Sequence, residues 1–263
     1  MRIYLMNRNF FFNLFPNEDE FLIASLWDDL MLCLEIEFPI YSSSFVSPQI
    51  WTKLCEVSNQ LKVEVFTIGL TPISEKKIIA FAPKNFSEID LEFPIKFFKI
   101  IATNKFKILQ HKDFLGSIMS LGLKRDSLGD ILVKDNIGYC IAFQDIYTII
   151  KNNLQQINTI PIKISDIDLT EIPEPQFKEI SDTVSSFRLD SIIAAIANIS
   201  RNISVDLIES GDILVNYLPE KNKSKIISIN SVITIKKKGK FILHKNLGET
   251  KKGKFKIIIK QYI

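Results

Sequence analysis

Two arginines in the last third of the chain have the side-chain chemistry to bind phosphate. Arg188 precedes an apolar helical pattern, and Arg201 follows Ser200 at the predicted start of a second short helix. A guanidinium group can grip phosphate in two places, and the backbone donors of a helix start favour an anion. Lone arginines are usually solvated surface residues, but the charge around these two favours a function. Asp190 could orient one of them.

The chain from residue 184 onward is strongly basic. Residues 184–263 carry fifteen Lys or Arg against six Asp or Glu, a net of +9, which leaves −6 for residues 1–183. A charge run is commonly only a solvated face, but a sheet with so one-sided a charge repels itself unless a polyanion binds to it. The lysines expected to contact RNA are Lys236, Lys238, Lys240, Lys251 and Lys252.

Catalytic groups are harder to find. His111 lies close to Asp113, but no partner nucleophile is evident, and that aspartate is explained as a helix cap. No P-loop, Rossmann glycine pattern, HExxH or EF-hand motif is present. Arg188 to Asp190 is similar to the tripeptide that carries the catalytic Asp of pseudouridine synthases, but the glycines that flank that motif are absent. We therefore expect a protein that is not an enzyme and holds no cofactor or metal.

Two other functions stay open. One is an RNA-modifying enzyme, similar to a pseudouridine synthase, in which the basic region only delivers the chain to RNA. The other is a protein-interaction adaptor at division or photosynthetic complexes, which exposure of Trp27 and Trp51 on one surface would favour. On apolar helix faces such tryptophans are far more often part of a core.

Cysteine spacing and the amino terminus exclude some protein classes. Cys33, Cys55 and Cys140 form no CxxC pair, so neither a zinc site nor a disulfide framework is indicated. The first residues have a cation and an apolar patch but no long apolar core with a cleavage site. We predict no signal peptide and no membrane span.

The hydrophobic period predicts a helical amino-terminal module over residues 1–62. Asn17 is the expected N-cap of a helix that reaches about Leu34, and Ser47 with Pro48 should begin another. From residue 63 the period becomes that of strands, interleaved with a helix that Asp113 caps and another from Asp145. Residues 63–170 should therefore form an α/β sandwich, with one sheet covered on one face.

The last domain is predicted to begin after a proline-rich linker at residues 171–183. In residues 184–263, Ser185 or Ser186 should cap one helix, and Ser200 a second one that stops at Gly211. Alternating strands follow, so we expect two helices on a small antiparallel sheet. The predicted fold class of the whole chain is α+β.

Several separated motifs resemble those of one family, in the same order along the chain. They are Phe106 to Gly116, Leu121 to Arg125, Gly129 to Ile131, Val184 to Asp190, Ser200 with Arg201, Gly211 to Asn216, and Thr250 to Lys254. With them the chain resembles the YlmH family of bacterial and plastid proteins. Members of that family end in an S-four-type (alpha-L) RNA-binding domain.

The resemblance implies an RRM-like middle domain and a partner on the large ribosomal subunit. Ribosomal RNA and tRNA are the implied ligands. We also expect the protein to be a monomer and to bind no membrane. The implied RNA contacts are Arg188, Ser200, Arg201 and Asn216, with His111, Lys112, Lys124 and Arg125 in the middle domain. We expect replacement of Arg188 and Arg201 by Ala to weaken ribosome co-sedimentation without unfolding the domain.

The chain departs from the family pattern at three places. Asn202 and Ile203 replace a basic residue and an Ala, Lys236 to Lys240 replace an arginine-glycine motif, and Ser74 to Lys77 replace an Ala-Glu-Arg-like segment. Lysine keeps the charge but loses the planar fork, so RNA attraction should survive with less specificity. The ending from Lys260 is similar to the cyanobacterial and plastid branch. A bacterial cytoplasm and a plastid stroma are both expected compartments.

Overall fold

A computed structural model describes residues 7–103 and 107–262. The chain divides into two compact units, Met1–Pro173 and Glu174–Ile263. Residues 1–6, where no leader was predicted, and Phe106 of the first family motif lie outside the described residues. Among the described residues no single helix is long and apolar enough to cross a membrane, although the bent pair Leu189–Ala197 and Arg201–Glu209 passes that test when taken together.

The first half of the first unit packs three helices against a small antiparallel sheet. Its elements are α1 (Arg8–Asn13), α2 (Glu20–Ile36), β1 (Ile40–Tyr41), α3 (Pro48–Leu61), β2 (Glu64–Ile68) and β3 (Ile78–Ala82). The strands lie in the order β1-β3-β2. Fully buried Phe11, Leu30, Ile50 and Phe81 come from helices and sheet alike and form one core. We call this part the N-lobe.

The N-lobe corrects two details of the sequence prediction. The cap of α2 is Asp19 rather than Asn17, and its carboxylate accepts a hydrogen bond of 2.9 Å from the backbone of Leu22. The predicted boundary at residue 62 is wrong, because β2 and β3 pack with the helices in the same core. An alternating strand pattern shows where strands begin but not which sheet they join.

The second half of the first unit is a five-stranded antiparallel sheet with two helices. Its elements are β4 (Ile95–Ala102), α4 (His111–Met119), β5 (Leu128–Lys134), β6 (Ile137–Phe143), α5 (Gln144–Asn153), β7 (Gln156–Ile157) and β8 (Ile160–Asp166). The strand order is β5-β6-β4-β8-β7. Phe98 and Cys140 of the central strands pack against Phe114 of α4 and Tyr147 of α5. Both helices therefore cover the same face.

The opposite face of this sheet is also covered, which corrects the expectation of a sheet covered on one face. Phe45, Leu70 and Ile78 of the N-lobe pack against Ile141 of β6. At Gly129 the approach is so close that an added Cβ would lie 2.4 Å from Ile141 and 2.8 Å from Phe45. The N-lobe and the five-stranded sheet are thus joined by an apolar core.

Helix α4 begins at His111 and is capped by Gln110, not by the predicted Asp113. Asp113 instead reaches back from the third helical position and accepts a hydrogen bond of 2.8 Å from the Gln110 backbone N–H. Its other oxygen accepts a hydrogen bond of 3.1 Å from the side-chain amide of Asn158. These bonds, with the backbone bond the larger cause, hold the pKa of Asp113 below its usual range.

The second unit packs two short helices on a six-stranded antiparallel sheet. Its elements are β9 (Phe177–Val184), α6 (Leu189–Ala197), α7 (Arg201–Glu209), β10 (Ile213–Val215), β11 (Leu218–Pro219), β12 (Val232–Ile235), β13 (Gly239–Glu249) and β14 (Phe255–Tyr262). The strand order is β11-β10-β12-β13-β14-β9. Leu189, Ile193 and Ile208 of the helices pack on Leu243 and Ile257 of the sheet.

Strand β9 corrects the predicted linker at residues 171–183. It pairs with β14 along its whole length, from Phe177 opposite Tyr262 to Val184 opposite Phe255. Two prolines and acidic residues precede the strand, and they concealed its weak alternation. The mixture of helices and antiparallel sheets confirms the predicted α+β class.

Candidate RNA-binding surface

Arg188 and Arg201 occupy the starts of the two helices in the second unit. Arg188 is the N-cap of α6, so neither Ser185 nor Ser186 has the predicted capping role. A neighbouring segment fixes this start, since the backbone N–H of Leu189 donates to the carbonyl of Lys225 at 2.8 Å. Arg201 is the first residue of α7, directly after its cap Ser200. The chain therefore brings two guanidinium groups to one place.

Asp190 holds both arginines at once. Nε and Nη2 of Arg188 donate to its carboxylate at 3.2 and 3.1 Å, and the same two nitrogens of Arg201 donate at 3.1 Å each. The Asp190 side chain is only 5% exposed, whereas those of Arg188 and Arg201 are 34% and 50% exposed. Two bidentate pairs thus share one buried carboxylate, and both arginine side chains remain partly exposed.

The electrostatics of this triad fix its charge. Burial would raise the pKa of Asp190, but hydrogen bonds from Arg188 and Arg201 outweigh it and hold that pKa below its usual range. The hydrogen bond to Asp190 raises the pKa of Arg188. The Asp190 carboxylate and the Arg188 guanidinium are therefore both ionised at neutral pH. An aspartate with both oxygens bonded to arginines is poorly suited to act as a nucleophile.

Two serines support the triad. The Ser200 hydroxyl accepts a hydrogen bond of 3.3 Å from the backbone of Ile203 and so caps α7 as predicted. The hydroxyl of Ser204 lies 2.8 Å from the carbonyl of Asp190 and 2.7 Å from that of Arg201. Ser204 is fully buried and was missed by sequence reasoning. Its position on the inward side of α7, four residues after the cap, is the sequence feature that could have identified it.

Asn216 has a structural role in the turn between β10 and β11. Its φ of 47° and that of Tyr217, 67°, place both residues in the left-handed region. The Asn216 side-chain oxygen accepts a hydrogen bond of 2.9 Å from the backbone of Val232. Asparagine tolerates this conformation and bonds locally. The residue predicted to contact RNA therefore has a local reason for its type, and no observation brings it to the arginines.

The lysines that were expected to contact RNA form two clusters in the second unit. Lys236, Lys238 and Lys240 lie at the hairpin between β12 and β13, whereas Lys251 and Lys252 lie in the turn between β13 and β14. The eleven residues of β13 separate the two turns, which at about 3.3 Å per residue is roughly 35 Å. The two lysine clusters therefore lie at opposite ends of β13.

The arginine pair lies towards the turn that carries Lys251 and Lys252. Val184 pairs with Phe255 beside that turn, and the rings of Phe187 and Phe255 are 5.0 Å apart. At the other end, Lys238 donates to the carbonyl of Ala197, the last residue of α6, at 3.4 Å. Helix α6 therefore runs from one lysine cluster towards the other, with Arg188 at the Lys251 end.

Several lysines are partly neutralised within the second unit. Lys236 lies 3.4 Å from Asp212, Lys223 lies 3.3 Å from Glu209, and Lys225 lies 2.7 Å from Glu220. The ammonium of Lys240 lies 5.1 Å from the ring centre of Tyr217. Lys251 and Lys252 are exposed and, within the described part of the chain, belong to no ion pair. The Lys251 cluster is thus better able to attract phosphate.

Comparison with known proteins adds to this geometry. Residues 89–171 match the family described as "Putative RNA-binding domain in YlmH". The chain is also 28% identical over 217 residues to the ribosome-associated protein quality control protein P2 of Bacillus subtilis (strain 168), covering 82% of this chain and 84% of that protein. The chain is therefore similar to YlmH proteins in this domain and to the Bacillus subtilis protein over most of its length.

A solved structure of a YlmH protein also matches. It is the cell division protein YlmH from Streptococcus pneumoniae, with 22% sequence identity and a TM-score of 0.49. The match covers 60% of this chain and 96% of the other.

The YlmH domain at residues 89–171 contains the four remaining predicted contacts. His111 and Lys112 are exposed in the first turn of α4, and Lys124 is exposed before β5. Arg125 is half-buried, and its Nη1 donates to the carbonyls of Leu128 and Gly129 at 2.6 and 3.2 Å. Arg125 therefore stabilises the start of β5, whereas His111, Lys112 and Lys124 are exposed and can contact a ligand.

The structure also describes the metal-ligating residue types, the cysteines and the tryptophans that the sequence analysis considered. No group of three or more His, Cys, Asp or Glu side chains there could hold a metal ion. Burial raises the pKa of the Cys33 thiol to about 11, so it is not a reactive thiolate. Trp27 is buried, and half-buried Trp51 donates its indole N–H to the carbonyl of Glu75 at 2.8 Å. The tryptophans therefore do not form the exposed surface that an adaptor would present.

Proposed function

We propose that this chain is a non-enzymatic protein that binds structured RNA on the large ribosomal subunit. The observation that carries the proposal is the pair Arg188 and Arg201 on the buried carboxylate of Asp190. The RNA-binding family match at residues 89–171 supports the ligand class. The Bacillus subtilis relative is named as ribosome-associated and as a quality control protein, which supports the place of action.

The arginine pair would bind two phosphates or one phosphate from two sides. Each guanidinium group uses one edge for Asp190, so its remaining donors point away from the carboxylate. Because Asp190 already orders each guanidinium group, less side-chain entropy is lost on phosphate binding than for a free arginine. Ribosomal RNA and tRNA both present phosphates in fixed arrays, and such contacts select by shape rather than by base sequence.

The lysine clusters would add electrostatic attraction to phosphate groups without fixing the orientation of the RNA. Each phosphate they neutralise releases counterions, so affinity should fall as salt rises, with a slope of about 0.7 to 0.9 per contact. Lys251 and Lys252 lie towards the arginine pair and would extend its surface. Ribosome binding that does not depend on salt would contradict this proposal.

The test must leave Asp190 compensated, which the expected Ala replacements would not do. Removal of both arginines would leave a 5% exposed carboxylate unpaired, at a cost of about 3 to 5 kcal/mol. The double change Arg188→Lys with Arg201→Lys keeps both positive charges near Asp190. A lysine cannot, however, form the bidentate contact that each guanidinium group makes. A triple change of Arg188, Asp190 and Arg201 to Ala removes charge and carboxylate together.

Ribosome co-sedimentation of these variants decides the proposal. We expect the double lysine variant to bind large subunits about tenfold more weakly, which corresponds to about 1.4 kcal/mol. The triple Ala variant should lose binding almost completely while its circular dichroism spectrum is kept. Lys53→Ala with Lys62→Ala, in and directly after α3, removes two cations from the N-lobe and is the control. Wild-type binding by the folded triple Ala variant would refute the proposal.

A further inference from the structure

An open cleft lies on the helical side of the five-stranded sheet, within the YlmH domain. Its volume is about 630 Å³, and its walls are α4 on one side and the segment from the end of α5 into β7 on the other. The lining is mostly polar. The lining residues with polar side chains or an accessible backbone include Lys112, Gly116, Ser117, Gln155, Gln156 and Asn158.

The cleft presents polar side chains that lack partners. Within the described residues, Ser117, Gln155 and Gln156 make no side-chain hydrogen bond, and both glutamines are exposed. Each glutamine amide offers two donors and one acceptor oxygen with two lone pairs. Unpaired bases present mixed donor and acceptor edges of the same kind. The wall therefore matches the edge of a nucleobase better than it matches an apolar ligand.

Gly116 lines the cleft without a structural need for glycine. It lies inside α4 with ordinary helical backbone, and an added Cβ would have no heavy atom within 4 Å. A glycine inside a helix costs about 0.5 to 1 kcal/mol relative to alanine. Neither packing nor conformation accounts for that cost. A bare backbone at this point lets another chain approach closely, which is one established use of glycine.

The charge of the cleft is nearly balanced. Lys112 supplies a cation, and Asp113 beside it supplies a carboxylate whose hydrogen bonds keep it ionised. Bulk attraction to a polyanion is therefore weak here, unlike on the second unit. A ligand of this cleft would be selected by hydrogen bonds and shape.

The sheet of this domain has little room for the usual contact with single-stranded RNA. RRM domains stack bases on aromatic side chains of an open sheet face. Here Phe97, Tyr139 and Phe143 point to the face that Phe45 and Leu70 of the N-lobe cover. The rings of Phe45 and Phe143 are 5.4 Å apart in an edge-to-face contact. Recognition of single-stranded RNA by this domain would need another surface.

We propose that the cleft binds one or two unpaired nucleotides of an RNA strand. The backbone of the strand passes over Gly116, and Gln155 and Gln156 bond the edge of a base that enters the cleft. Lys112 contacts a flanking phosphate. This inference rests on the proposed function for its ligand class, because the RNA partner is taken from there.

The test uses the full-length protein and short single-stranded oligoribonucleotides labelled with a fluorophore, one for each base. Binding is followed by fluorescence anisotropy at raised salt, which suppresses contacts that depend on phosphate alone. Gly116→Leu adds a large side chain to the α4 wall of the cleft, and Gln155→Ala with Gln156→Ala removes the two amides. Thr148→Leu adds the same side chain at an exposed position of α5 outside the cleft and is the control.

We expect both cleft variants to bind at least one of the oligonucleotides about tenfold more weakly than the control, as loss of a base contact would give. Wild-type affinity in both cleft variants, or equal loss in the Thr148→Leu control, would overturn the inference. Ribosome co-sedimentation measured in parallel separates the two proposals. Loss of oligonucleotide binding in a protein that never binds ribosomes would refute the ribosomal role and leave the cleft standing.

Discussion

Asp190 at the start of α6 accepts two hydrogen bonds of 3.1 Å from Arg201 at the start of α7. The two residues are eleven positions apart, and they join helices that are bent by 111° relative to each other. Arg188 completes the arrangement from the other side of the same carboxylate. The helix pair is therefore held by the same ion pairs that order its cationic surface.

Replacement of Asp190 by Asn should loosen both arginines. The amide cannot accept four charge-assisted hydrogen bonds, so we expect the second unit to lose about 1 to 3 kcal/mol of stability and the ribosome affinity to fall. Because the pKa of Asp190 is lowered in the folded state, its stabilisation is present at neutral pH and lost as pH falls below the usual aspartate range. Denaturant unfolding at neutral and acidic pH would measure the difference.

The control for this change is Asp206→Asn, an exposed carboxylate on α7 without a side-chain partner among the described residues. It should alter neither stability nor binding. If Asp190→Asn behaves in the same way, the shared carboxylate does not order the arginines.

The two lysine clusters should differ in their effect on RNA binding. Lys251→Ala with Lys252→Ala should reduce the salt slope of ribosome binding by about 0.7 to 0.9 for each phosphate that these lysines no longer neutralise. Lys236→Ala with Lys238→Ala should change the slope less, because Lys236 is paired with Asp212 and this hairpin lies at the far end of β13. Binding measured over a series of salt concentrations would compare them. Equal slopes in the two variants would argue against the assignment of RNA to the Arg188 end.

Gly129→Ala should weaken the junction between the N-lobe and the five-stranded sheet. The new methyl would lie 2.4 Å from Ile141 and 2.8 Å from Phe45, both fully packed, so we expect a loss of about 1 to 3 kcal/mol. Thermal unfolding would report it. Gly116→Ala is the matched control, since its methyl meets nothing within 4 Å and should stabilise α4. A tolerated Gly129→Ala would mean that this core is loosely packed.

Asp29 should make the N-lobe less stable as pH rises. Burial, together with the charge of Asp28, raises the pKa of Asp29 to about 6, and its Oδ2 is buried without a hydrogen bond. The folded protein therefore binds a proton more tightly than the unfolded chain, and stability falls as pH rises towards and through 6. Asp29→Asn should raise the melting temperature above that pH, by the equivalent of about 1 kcal/mol after allowance for partial exposure.

Melting curves at mildly acidic and mildly alkaline pH would show this change. The gain should be small at the acidic value, where the wild-type carboxyl is already protonated. Glu35→Gln, exposed on the same helix, removes an equal charge and is the control.

Local sequence patterns predicted many elements because their causes are local. Pro48 begins α3, Ser200 caps α7, and Gly211, with a φ of 82°, follows the end of that helix. Asp135 and Asn136 make the turn between β5 and β6, with φ values of 51° and 60°. In each case a side chain bonds its own neighbourhood or the backbone requires a particular residue type.

The pairing of distant segments could not be predicted in the same way. Strand β9 begins within a stretch of prolines and acids, and only its pairing with β14 makes it a strand. β2 and β3 resemble in composition the strands that follow them, but contacts with α2 and α3 place them in the N-lobe. Strand patterns fix the direction of side chains and leave the partner strand open.

The sequence by itself determined the chemistry of the candidate surface, namely two arginines near helix starts, a nearby aspartate and an excess of lysine. Only the tertiary structure decided how these groups combine. It joined both arginines to Asp190 because α7 folds back across the start of α6. It also separated the lysines, because β13 carries its two turns to opposite ends of the sheet. Net charge is a property of composition, whereas the positions of the charged side chains depend on which strands and helices pack together.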